Sequence, residues 1–168
     1  MLDYRITSDT CIRYDRVVRM ISLYNGWGEY YLGTAKEAVA MVTKFLITGV
    51  LMAVIDAAWL GFVANKFYKS QIGSLLLTKP NMAAAAAFYL IYVFGIILFI
   101  LNPALEKASL QHALVYGAVF GFVCYATYDL TNLATLKGFS LKLVLVDLVW
   151  GAILTATVAG LSYVILSR

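Results

Sequence analysis

Four stretches of the chain are apolar almost without interruption, approximately Val42 to Ala64, Met82 to Leu101, Ser109 to Leu136 and Leu141 to Leu166. Each reaches the ~20 apolar residues that a helix needs to cross hydrocarbon. The runs are continuous rather than alternating, which excludes a β-barrel. Asn65-Lys66 is expected to end the first span. Asn102-Pro103 is expected to close the second, by supplying a turn and removing a backbone donor, and Lys137-Gly138 breaks the third from the fourth. Connections this short make neighbouring helices antiparallel. The pattern therefore predicts an all-α, polytopic membrane protein, a four-helix transmembrane bundle with short loops.

Residues 1–40 are a different kind of sequence, with five of the nine acids of the chain (Asp3, Asp9, Asp15, Glu29 and Glu37) beside Arg5, Arg13, Arg16, Arg19 and Lys36. The stretch lacks the apolar core of a secretory signal. Val17, Met20, Ile21 and Tyr24 fall on one helical face, with Trp27, Tyr30 and Tyr31 following, a pattern that suits an interfacial helix. The alternative is an extension that is not a native folded part. The domain reading is thus an N-terminal extension, 1–40, and a four-helix transmembrane domain, 41–168. Composition agrees: 62% of residues are hydrophobic and only 13% charged, with a mean hydropathy of +0.84, against about 25% charged in soluble domains.

Lys66, Lys69, Lys79, Lys137 and Lys142 all lie in or beside the connections from span one to two and from three to four. Within the transmembrane domain they outnumber Lys44, Lys107 and Arg168, so the positive-inside rule puts both connections in the cytoplasm. The basic residues of 1–40 would join the opposite side and weigh against that orientation.

The few acids within the spans carry the chemistry. Asp56 lies eight residues before Ala64, Asp129 seven before Leu136 and Asp147 six after Leu141. With antiparallel connectivity all three sit roughly 10 Å beneath the same lysine-bearing surface. A carboxylate in hydrocarbon costs about 3 kcal/mol or more on insertion scales, so converging acids imply a shared polar interior. Trp59 shares a helical face with Asp56, Trp150 and Gly151 with Asp147, and Tyr125 and Asn132 with Asp129, while Tyr128 and Thr131 border that face. These groups can donate hydrogen bonds to carboxylates. The three aspartates, with Tyr125, Tyr128, Thr131, Asn132, Trp59 and Trp150, are the candidates for binding a ligand or protons, in a cavity open toward the Lys66/Lys137 surface. A hydrogen-bonded seam that only pins the helices is the alternative.

Other constellations are weaker. His112 opens the third span at the far surface from the acids, so no metal site is expected, and no cofactor is called for. Cys11 and Cys124 stand on opposite sides of the composition break, which argues against a disulfide. Gly117 and Gly121 form a GxxxG pair that permits close helix approach, within the bundle or in a homo-oligomer. Nothing resembles a phosphate loop, a nucleophile elbow or a nucleic-acid signature; the partners expected are membrane lipids.

The blocks Ile55-Asp56-Ala-Ala-Trp59-Leu-Gly61, Lys66-Phe-Tyr68, Lys79-Pro80-Asn81, Tyr128-Asp129-Leu-Thr131-Asn132-Leu-Ala-Thr135 and Val146-Asp147-Leu-Val-Trp150-Gly151 occur in this order. Together they resemble the small bacterial membrane-protein family catalogued as domain of unknown function 2177, from about Met41 to Arg168. The resemblance implies a four-helix fold, these motif positions and a multi-pass place in the bacterial inner (cell) membrane. It implies no activity, although similarity in genomic setting to fatty-acyl modification and stress genes points toward lipid.

Two functional classes follow. In the first, the protein binds or processes a lipid or other amphiphile, with loop lysines attracting an anionic headgroup; an enzyme would use one aspartate as acid and another as base. In the second, it is a small proton- or cation-coupled transporter or channel subunit, which would need polar residues continuing to the far surface. The far halves of the four spans read as almost wholly apolar, which favours the first class. A non-catalytic membrane accessory protein is the third expectation.

Overall fold

The computed structural model describes residues 8–168, with the side chains of 8–15, 18, 22 and 25–32 left outside that description. The chain divides into two compact units, Met1–Val42 and Thr43–Arg168. In the first, the described backbone is helical, and Val17, Met20, Ile21 and Tyr24 are exposed. Trp27, Tyr30, Tyr31 and the Cys11 thiol, which entered the sequence reading, lie outside the described side chains.

The helices in chain order are α1 (Ser8–Trp59), α2 (Asn65–Ile72), α3 (Met82–Ile96), α4 (Asn102–Glu106), α5 (Leu110–Thr135) and α6 (Leu141–Leu166). A five-residue π-helical turn, Leu60–Ala64, links α1 to α2, and a second, Ile97–Leu101, links α3 to α4. No strand occurs among the described residues. Four helical stretches are long and apolar enough to cross a membrane: Gly33–Leu75, Met82–Glu106, Leu110–Thr135 and Leu141–Leu166. The protein is an all-α bundle of four such helices.

Two expected helix ends are corrected. Asn65-Lys66 does not close the first span, because the helix widens through Leu60–Ala64 and continues as α2 to Ile72. Asn102-Pro103 does not close the second, because Pro103 falls in the first turn of α4. Proline is tolerated there: the wide π turn before it has already reset the hydrogen-bond ladder, and Asn102 N–H pairs with the Ile97 carbonyl five residues back.

Local signals set the other ends. Asn81 Oδ1 accepts from the Ala83 and Ala84 amides at 3.1 and 3.2 Å, Ser109 Oγ from His112 at 3.2 Å and Ser140 Oγ from Leu143 at 3.4 Å. Each satisfies a donor that a helix N-terminus would otherwise leave unpaired. Gly138, at φ +81°, makes the α5–α6 turn that a side chain would strain.

The interior has two apolar parts. Met52, Val93, Ile96, Ile97, Ile100, Leu101, Leu154 and Val158 are buried in the larger. Phe139, Leu143 and Val144 form the smaller, packed by Phe67, Tyr68, Ile72, Leu133 and Leu148. Outward residues are equally apolar, Phe62 being 90% exposed, as expected of a surface that meets lipid.

Helix α4 ends in a Schellman turn: Ser109 N–H reaches the Ala104 carbonyl at 3.0 Å and Ala108 N–H that of Leu105 at 3.1 Å. The left-handed position is taken by Ala108 at φ +46°, where glycine is the usual choice. Relieving its Cβ should stabilise the fold by about 1 kcal/mol. Ala108→Gly is therefore expected to raise the melting midpoint in detergent; a lower midpoint would show that the turn carries no strain.

Candidate functional site

The site is built on the contact between α5 and α6. A Cβ on Gly121 would overlap the Gly151 carbonyl and Thr155 Oγ1, and one on Gly117 would come within 3.0 Å of Ala156 Cα and the Thr155 carbonyl. The two backbones therefore touch, and the GxxxG face packs within the chain. A Cβ on Gly151 would overlap the Tyr125 ring, so Tyr125 lies across α6 at this level. In antiparallel register, one turn from Gly151 toward the start of α6 gives Asp147. Two turns from Gly121 toward the end of α5 give Asp129. Side chains from i and i+4 positions share a face, so both acids belong to the seam that the glycines set.

The three acids are all buried, Asp129 completely and Asp56 and Asp147 to within 6%. Their partners differ sharply. Asp56 accepts from the Tyr89 hydroxyl at 2.6 Å and from Trp150 Nε1 at 3.2 Å. Asp147 Oδ1 accepts from the Tyr68 hydroxyl at 2.5 Å. Both Asp129 oxygens are buried without a hydrogen-bond partner. Trp59 stacks on Trp150 with ring centroids 4.2 Å apart, which fixes the indole that reaches Asp56.

The π turn stands between Asp56 and Tyr68, whose hydroxyl donates to Asp147. Fifteen residues separate Asp56 from Gln71, whereas only ten separate their partners Trp150 and Ser140. Two helices of equal rise cannot match those lengths in parallel, so the α1–α2 path bends, and a π turn is a recognised place for a bend. Ser140 Oγ holds the far end by donating to Gln71 Oε1 at 2.7 Å.

Beside Asp147 lies a cavity of about 310 Å³ lined by Tyr68, Phe88, Tyr92, Cys124, Tyr125 and Tyr128 together with that acid. Phe120 fills the space between α3 and α5 at Tyr92, Gly95 and Phe99. Beyond Tyr92 the gap is left to the cavity, whose Phe88 and Tyr128 rings are 44% and 62% exposed on the outer face of the bundle. Exposed lining residues thus stand on both α3 and α5. The Phe139, Leu143 and Val144 cluster packs near the lysine-bearing connection, against Phe67, Tyr68 and Ile72.

The model of the family described as "Predicted membrane protein (DUF2177)" matches residues 41–164. The chain belongs to this family. Neither the curated proteins nor the solved structures include a match. The family span contains every acid, ring and glycine of the site just described.

Of the residues expected at the site, Trp59, Tyr125, Tyr128 and Trp150 lie in or against it. Thr131 does not, since its hydroxyl is exposed and donates to its own helix at the Thr127 and Tyr128 carbonyls. Asn132 is half-buried, and its carbonyl closes the end of α5 by accepting from Leu136. Lys66, Lys69, Lys79 and Lys137 are exposed. Lys142 lies at a separate groove of about 410 Å³ with Trp59, Val149 and Ile153. His112 stacks on Tyr116, away from the acids.

Tyr68, Phe88, Tyr89 and Tyr92 were missed. Tyr68 stood in a quoted motif but beyond the assumed helix end. Tyr89 and Tyr92 are three residues apart in a span without acids. The far halves are also less apolar than expected. Lys44 Nζ donates to Asn102 Oδ1 at 2.7 Å, Tyr92 pairs with Thr155 at 2.8 Å, and the Thr48 and Ser162 hydroxyls are buried without partners. Single hydroxyls one or two turns apart barely lower a running hydropathy, so the pattern concealed them.

Two stability contrasts test this geometry. Gly121→Ala forces the α5 and α6 backbones apart and should cost at least about 1–3 kcal/mol, as overpacking does. Gly49→Ala meets nothing within 4 Å and should be neutral or slightly stabilising. Equal melting of the two variants would contradict the contact. Asp56→Leu strips the acceptor from Tyr89 and Trp150 and should cost about 1–3 kcal/mol, whereas Asp129→Leu removes an unpaired acid and should leave stability unchanged or raised. A loss at Asp129 as large as that at Asp56 would assign it a structural bond.

Proposed function

We propose that this protein binds an amphiphile drawn laterally from the bilayer into the tyrosine-lined cavity at Asp147. The observation that carries the reading is the cavity's lining, which includes the exposed Phe88 of α3 and Tyr128 of α5 and so supports an opening between those helices. A ligand already dissolved in the membrane enters such an opening without crossing the charged surface. The interior then offers hydroxyls and a carboxylate to its polar end, the mix of apolar wall and few convergent polar groups typical of ligand pockets. The reading makes membrane lipids the partners and the bacterial inner membrane the setting.

Transport of protons or cations is a second reading, favoured by Lys44, Asn102, Thr48, Thr155 and Ser162, which continue polar groups beyond the acids. Against it stands the packing around them: Met52, Ile96, Leu154 and Val158 are completely buried in the same region. A dry apolar layer of that kind gives a proton or cation no continuous chain of partners.

Cys124 lines the cavity and serves as its reporter. In a Cys11→Ser background, added amphiphile should slow the alkylation of Cys124 by a membrane-permeant maleimide severalfold. A cysteine placed at Ile91, which is 73% exposed on the outside of α3, should keep its rate. Equal slowing at both positions would mean dilution in the lipid phase and would overturn the reading. Proton uptake by proteoliposomes that Asp147→Asn abolishes would establish transport in its place.

A further inference from the structure

Which amphiphile the cavity takes is set by the charge it lacks. Resting on the amphiphile reading above, we infer that the cavity receives an alkylated ammonium headgroup, with the attached chain leaving between α3 and α5 into the bilayer. Five aromatic rings, Tyr68, Phe88, Tyr92, Tyr125 and Tyr128, line the cavity with one carboxylate, and among the described residues no Lys, Arg or His lines it. Ring faces attract a cation, and the attraction grows as water is removed. A methylated nitrogen has few or no N–H groups to satisfy, so ring faces and one carboxylate suffice to hold it.

The acids give the second, independent argument. Asp147 uses one oxygen for Tyr68, and its neighbour Asp129 is fully buried with both oxygens unpartnered. An acid at this depth is held as a carboxylate by a nearby cation, which an organic ammonium in the cavity supplies to Asp147. A metal ion is the poorer occupant, since among the described residues no three His, Cys, Asp or Glu side chains are grouped to hold one. Size agrees as well. About 310 Å³ is at the small end of ligand pockets, room for a headgroup but not for an entire lipid.

The test uses four decyl amphiphiles sharing one chain, namely trimethylammonium, phosphocholine, alcohol and sulfate, each added at equal mole fraction to the full-length Cys11→Ser protein in a neutral maltoside micelle. Protection of Cys124 is the readout. Trimethylammonium should bind about tenfold or more tightly than the alcohol, with the sulfate weakest. Protection by phosphocholine as strong as by trimethylammonium assigns the site to a zwitterionic lipid headgroup; protection by trimethylammonium alone assigns it to a free cationic amphiphile. Asp147→Asn should remove most of the preference over alcohol. Phe88→Leu, with an unchanged melting midpoint as its control, should weaken the ammonium about threefold to thirtyfold while sparing the alcohol. Equal binding of ammonium and alcohol overturns the ammonium assignment and leaves the amphiphile cavity standing. Tightest binding by the sulfate overturns it too, and failure of all four to protect Cys124 removes both readings.

Discussion

The backbone contact of α5 with α6 at Gly121 and Gly151 is the constraint on which the rest of the site depends. Within lipid, one apolar helix gains little by exchanging lipid tails for another apolar helix, so association relies on dispersion between closely fitted surfaces. Two glycines facing each other give the closest fit available. The Thr155 hydroxyl lies in the same contact, donating to the Gly151 carbonyl at 2.8 Å and therefore accepting from Tyr92. This bond ties α3 to the pair. Once the two helices are locked here, Asp129 and Asp147 have no freedom to turn toward lipid, and the carboxylates are held in the interior by backbone packing rather than by their own bonds.

The π turns supply what straight helices could not. The π turn Leu60–Ala64 lies between Asp56 and Tyr68, and Tyr68 donates to Asp147 only three residues from Trp150, the partner of Asp56. The second wide turn, Ile97–Leu101, lets Pro103 sit inside a helical path and puts Asn102 where Lys44 can reach it. Such turns recur at functional sites because they redirect side chains at the cost of weaker backbone geometry. Here one of them makes a bond to an acid, and the other makes the polar pair at the opposite end of the bundle.

The fold class and the four spans were legible in the sequence because hydropathy reports burial in lipid directly. The acids were legible for the same reason, as rare charges in apolar runs. What the pattern could not carry was helix continuity, since Asn65-Lys66 and Asn102-Pro103 are ordinary terminators unless a π turn precedes them. Losing the continuation hid Tyr68, and with it the partner of Asp147. Lining residues such as Phe88 and Tyr92 were hidden differently: an aromatic in a membrane span is unremarkable until a neighbour fails to cover it, and that depends on where Phe120 ends. Thr131 shows the opposite case. The sequence reading places it on the border of the face that Asp129 presents, but two residues along a helix is a rotation of about 200°, enough to turn its hydroxyl outward to its own backbone.

The unequal treatment of the three acids bears on whether the cluster is a structural seam or a binding site. A seam needs acids whose bonds cross between helices and are all made. Asp56 fits that description, receiving α3 through Tyr89 and α6 through Trp150. A binding site needs acceptors held in reserve. Asp147 retains one oxygen beyond the Tyr68 bond and borders the cavity, and Asp129 behind it has made no bond at all. Leaving a buried carboxyl unpaired lowers stability, and packing demands would be met as well by leucine. The cluster therefore divides along its own hydrogen bonds: Asp56 ties α1 to α3 and α6, Asp147 keeps one oxygen beyond its Tyr68 bond at the edge of the cavity, and Asp129 is buried with neither oxygen bonded.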